Sequence, residues 1–106
     1  YLTARELMNY FGELFGLDAA KRKQKTEELL TKVGLDEKDW NKQLRKFSKG
    51  MLQRVGLAQS LINEPEIVFL DEPMSGLDPI GRREIRELIA GLREKGTTVF
   101  MSTHIL

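Results

Sequence analysis

The chain has 106 residues, with 17 Lys+Arg against 16 Asp+Glu and a formal net charge of +1. Bulk charge therefore gives no reason to expect a nucleic-acid partner. It holds no Cys and one His, which excludes disulfides, thiolate chemistry and Cys- or His-rich metal clusters. A composition 41% hydrophobic and 31% charged fits one small folded domain at most, not a collagen-like or disordered chain. No apolar run approaches the roughly 20 residues that span a bilayer. The start, Tyr1 to Glu6, has neither the basic nor the apolar part of a signal peptide. Position 1 is not Met, and the expectation is a piece of something longer.

Thr3 with Glu6 three residues on has the pattern of a capping box, which satisfies free N–H groups at a helix start. Leu7, Met8, Phe11, Leu14 and Phe15 follow at helical spacing, with Gly16 as the stop. Asp18 is placed to cap a second helix. Its first half, Lys21 to Lys25, is charged, and Leu29, Leu30 and Val33 make its apolar side before Gly34. The basic run is best read as a solvated helix face. Asp36 to Asn41 predicts a short helical turn around Trp40, a packing anchor.

Ser48 opens a third helix on which Met51, Val55, Ala58 and Ile62 recur every three or four residues, with Leu52 and Leu61 beside them. Asn63-Glu64-Pro65 ends it, because Pro cannot continue a helix. Glu66 to Leu70 predicts a buried strand. Asp78-Pro79 is an N-cap followed by Pro at the first helical position. Ile85, Leu88, Ile89 and Leu92 form that helix's buried stripe, and Gly96 closes it. Thr97 to Ser102 predicts a second buried strand. Strand, helix, strand at this spacing predicts one βαβ unit with two parallel strands. The expected boundary lies near Asn63, with a helical part over 1–62 and an α/β part over 63–106.

Four elements carry chemistry. The first is Ile67 to Leu70 followed by Asp71 and Glu72, two carboxylates at the C-terminal end of a strand. In open α/β sheets that edge is where ligands bind. Neighbours on a strand point to opposite sides, so the two acids cannot play one part. One can hold a hard cation such as Mg²⁺, and the other can orient or deprotonate a water. The bland alternative is a strand ending in two solvated acids. The second element is Phe47-Ser48-Lys49-Gly50-Met51 at a helix start, where free N–H groups suit a phosphate and Gly50 permits close approach. Alone it is an ordinary Ser cap. The third is the turn Ser75-Gly76-Leu77-Asp78, and the fourth is His104 after the second strand.

In this order the four resemble the second half of an ATP-binding cassette (ABC) ATPase. Phe47 to Met51 resembles the signature, Ile67 to Glu72 the Walker B strand, Ser75 to Asp78 the D-loop, and His104 the switch histidine. The resemblance covers nearly the whole chain. It implies an α/β fragment of the P-loop NTPase fold, with a helical subdomain over 1–62 and part of the ATPase core over 63–106. It implies ATP and Mg²⁺ as cofactors. Asp71 would help hold Mg²⁺ and Glu72 would be the general base, while His104 would contact the γ-phosphate. Ser48, Lys49 and Gly50 would meet an ATP bound mainly by a second ATPase subunit, and Asp78 would act across the same interface.

Two departures stand out. The signature reads Phe-Ser-Lys-Gly-Met where the common form is Leu-Ser-Gly-Gly-Gln, so Lys49 replaces a Gly and Met51 a Gln. No G-x-x-x-x-G-K-S/T stretch occurs, and that loop would cradle the β- and γ-phosphates. The expectation is a fragment that is inactive alone and leaves apolar surface on its strands uncovered, which favours self-association.

The resemblance is strongest to the exporter branch. It implies a transmembrane permease partner that handles a small molecule, lipid or polysaccharide. The ATPase would sit in the cytoplasm, peripheral on the membrane's cytoplasmic face, with the exposed end of the first helix as a docking face. The alternative is a non-transport ABC-type ATPase of DNA maintenance or translation, which would need the coiled-coil insertions or basic extensions not visible here. A plain α/β interaction module is the third reading.

Overall fold

A computed structural model describes residues 1–102. Four α-helices and two β-strands follow in the order α1 (Ala4–Leu14), α2 (Ala19–Lys32), α3 (Lys49–Ser60), β1 (Ile67–Asp71), α4 (Pro79–Glu94) and β2 (Thr98–Ser102), with single 3-10 turns at Glu37–Asp39 and Leu44–Lys46. The caps fall where the sequence puts them. The Thr3 hydroxyl accepts from the Glu6 N–H while the Glu6 carboxylate accepts from the Thr3 N–H. Asp18, Ser48 and Asp78 each accept at the start of α2, α3 and α4. Each such cap is worth about 1 kcal/mol.

The two strands pair in parallel, with Ile67 opposite Thr98 and Asp71 opposite Ser102. α4 connects them, since parallel neighbours need a crossover. β1 is shifted one residue later than the sequence suggests, from Glu66–Leu70 to Ile67–Asp71, and β2 starts one residue later, at Thr98. Only one face of the sheet is covered. Val68, Leu70 and Val99 are buried, whereas Ile67 and Phe100 are each 53% exposed and Phe69 is 76% exposed. The expectation of fully buried strands holds for one face alone, and the uncovered apolar surface is present. Phe69 and Phe100 stack there at 5.2 Å between ring centroids.

One hydrophobic cluster runs through the molecule. It joins Met8 of α1, Leu30 of α2, Val55 of α3, Ile85 of α4 and Val68 and Val99 of the sheet. The core therefore continues across the helical and α/β segments. Trp40 is buried, its indole N–H donates to the Leu35 carbonyl at 3.0 Å, and the Arg5 guanidinium lies 5.3 Å over its ring. Three apolar residues placed by periodicity on a packed face are exposed instead: Leu14 and Phe15 at the end of α1, and Leu52 on α3.

Candidate active site

β1 delivers the acid pair to the C-terminal edge of the sheet. Asp71 is its last residue, exposed, and its Oδ1 accepts from the Ser102 hydroxyl at 2.6 Å. That bond crosses the sheet at the position where Asp71 and Ser102 are registered partners. It fixes one carboxylate oxygen and leaves Oδ2 with no partner among the described residues. Glu72 leaves the strand sharply, at φ +45°. This left-handed conformation costs a residue with a Cβ roughly 1–2 kcal/mol. It is held by hydrogen bonds on both sides of the residue. The Glu72 N–H donates to the Ser102 carbonyl at 2.8 Å, and its carbonyl accepts from the Ser75 N–H at 3.0 Å. The Gln53 side-chain amide, from α3, donates to the same carbonyl at 3.2 Å.

The turn after the acids packs against the start of α3. A Cβ added to Gly50 would stand 2.8 Å from the Gly76 carbonyl oxygen and 3.1 Å from Leu77 Cδ2. The absent side chain of Gly50 thus admits the Ser75–Asp78 turn, which is a sufficient reason for glycine there without any phosphate. Gly76 stands at φ +79°, with the Lys49 stem where its Cβ would be. The exposed Ser48 accepts from the Met51 N–H at 3.2 Å, and Asp78 Oδ1 accepts from the Gly81 N–H at 2.7 Å. Both act as helix caps in this chain.

The structure thus brings Asp71, Glu72 and Ser102 together, and Lys49 and Gly50 against Gly76 and Leu77, with Ser48 capping the same helix start. His104 lies outside the described residues. Gln53 was not anticipated from sequence. Its only signal in the sequence is a polar residue on a helix among Leu52, Val55 and Leu57. Among the described residues no group of three His, Asp or Glu converges on one point. The donor set nonetheless fits Mg²⁺, which is commonly held by one or two carboxylates with waters and substrate phosphates completing its shell. A cavity of about 500 Å³ lies between α1 and α2, and none of these residues lines it.

Comparison with known proteins now fixes the class. The family model described as ABC transporter matches residues 2–75. An uncharacterised ABC transporter ATP-binding protein of Synechocystis is 54% identical over 107 residues, covering 100% of this chain and 30% of the relative. A fluoroquinolones export ATP-binding protein of Mycobacterium tuberculosis is 44% identical over 97% of this chain and 33% of its own length. The bacitracin transport ATP-binding protein of Bacillus licheniformis is 44% identical over 99% and 33%. Among solved structures, a dimeric ATP-binding cassette bound to ADP and phosphate superposes with TM-score 0.90 at 30% identity, over 98% of this chain and 47% of that one. The chain belongs to the ABC transporter family and has the fold of part of its P-loop NTPase cassette. It spans about a third of the length of the curated relatives.

Proposed function

We propose that this chain supplies the catalytic and signature part of a cassette that hydrolyses ATP at a dimer interface to drive transport across a membrane. The observation that carries the reading is the acid pair at the C-terminal edge of a parallel strand, with Asp71 tied to Ser102 and Glu72 turned out of the strand. Phosphoryl transfer demands positioning and charge stabilisation more than a covalent nucleophile. Bound Mg²⁺ supplies neutralisation of phosphate charge, and Asp71 is the residue that would hold it. Glu72 takes the proton of the attacking water, and His104 contacts the γ-phosphate. Ser48, Lys49 and Gly50 face the nucleotide of a second subunit, and Asp78 lies on the same interface.

On this reading residues 1–62 form the helical signature subdomain and 63–106 part of the ATPase core. The partners are a second ATPase subunit and a transmembrane permease. The work is done on the cytoplasmic face of the membrane, and no helix among the described residues is long and apolar enough to cross it. The exposed Tyr10, Leu14 and Phe15 at the end of α1 suit a docking face for the permease. Relatives named for fluoroquinolone export, bacitracin transport and lantibiotic transport favour a transporter of the exporter branch over a DNA or translation ATPase. Without a G-x-x-x-x-G-K-S/T loop, this chain has no phosphate cradle and is inactive alone.

The test is Glu72→Gln in a cassette that carries this segment together with a phosphate loop. Turnover is expected to fall at least about a hundredfold, the range of general-base catalysis, with ATP affinity retained. Undiminished turnover would remove Glu72 from the role of base.

A further inference from the structure

Glu72 stands in a conformation that persists only where its surroundings over-determine it. Two of its backbone bonds come from neighbouring main chain, Ser102 and Ser75. These depend on strand pairing and turn geometry, not on any particular side chain. The third comes from a side chain, Gln53, whose amide N–H donates to the Glu72 carbonyl at 3.2 Å. A carbonyl has two lone pairs, so the Ser75 and Gln53 bonds do not compete.

The position of Gln53 gives that bond a consequence. It lies on α3, the helix that begins beside Ser48 and whose first turn packs on the Ser75–Asp78 loop. The direction in which a residue projects its Cβ is set by its own φ and ψ. Holding the Glu72 carbonyl therefore holds the direction in which its side chain leaves the backbone. We propose that Gln53 is a positioning residue that fixes the Glu72 peptide to the signature helix, so that movement of α3 is felt at the base of the same chain. The inference rests on the reading of Glu72 as the base. Since α3 presents Ser48 to a nucleotide held by another subunit on that reading, the bond links two ATP sites through one side chain.

The test compares Gln53→Leu, which removes the donor, with Gln53→Lys, which keeps a long donor. Both are made in the cassette completed by a phosphate loop, beside Glu72→Gln. For Gln53→Leu, kcat is expected to fall roughly fivefold to tenfold, the rate equivalent of one lost hydrogen bond. The KM for Mg²⁺-ATP should stay within about twofold, because ground-state binding is not what the bond serves. Gln53→Lys should recover most of kcat. Wild-type kcat in Gln53→Leu, with Glu72→Gln inactive, overturns the inference and leaves Glu72 as base. Loss in both Gln53 variants, with KM and melting temperature moving alongside kcat, also overturns it, since that is what a merely structural residue would do. If Gln53→Leu does not fold, Gln53→Asn replaces it as a donor too short to reach. Lower kcat in Asn than in Lys supports the proposal, and equal kcat overturns it. Full turnover in Glu72→Gln overturns both the base assignment and the inference built on it.

Discussion

A side chain at Gly50 would have to displace the Gly76 carbonyl, 2.8 Å from where its Cβ would stand. That atom is backbone and cannot swing aside, so Gly50→Ala must move α3 or the turn. The expected cost is about 1–3 kcal/mol, as for other overpacked sites, read from urea unfolding without nucleotide. Unchanged stability would mean that the close approach is easily relaxed and that glycine serves a ligand instead. The acids at 71 and 72 were legible because an apolar run and two carboxylates adjoin in sequence. The left-handed turn at Glu72 was not, because no Gly or Asn marks it. Gln53 was invisible for a different reason: its partner is 19 positions away and is a carbonyl, which every residue has.

Among the elements, caps and breakers were the most legible features, because one residue and its near neighbours decide them. Asp18, Ser48, Asp78 and the glycines at 16, 34 and 96 all punctuate helices as expected. What periodicity could not say is which apolar residues find a partner. Leu52 has helical spacing but faces outward. The last residue of α2 and the residue that follows α4 also show a conflict that sequence could not reveal. Burial, and then the nearby ammonium of Lys95, hold the Lys32 amine below its ordinary value of 10.5. The folded state therefore binds fewer protons than the unfolded state as pH rises from the lowered value to 10.5, and this pair's penalty fades over that window. At neutral pH the penalty is fully present. Lys95→Glu should reverse the sign of the contact and raise stability by up to about 1 kcal/mol, the scale of an exposed ion pair. Urea midpoints of the two proteins should converge as the solution is made strongly alkaline, where Lys32 loses its charge. A variant no more stable than the parent at pH 7 would show that the two amines do not oppose each other in solution.

At the scale of the molecule, the boundary near residue 62 marks a change of secondary structure, yet one core runs through both parts. The sheet explains why fully buried strands were expected and only half found. Its sequence is apolar on both faces, as in a strand covered twice. In this chain α4 lies against the sheet while Ile67, Phe69 and Phe100 stay open. The same incompleteness appears in the chemistry. On the proposed reading the acids, the turn and the signature helix are in place, but the sequence holds no loop to cradle the β- and γ-phosphates. On that reading this chain carries the base and the signature without a self-sufficient nucleotide pocket. Equilibrium binding of Mg²⁺-ATP to the 106-residue chain tests it most directly. No saturable binding is predicted, with binding restored when the phosphate loop is supplied in the same polypeptide. Saturable, stoichiometric binding by the chain alone would require a complete nucleotide site within these residues and overturn that reading.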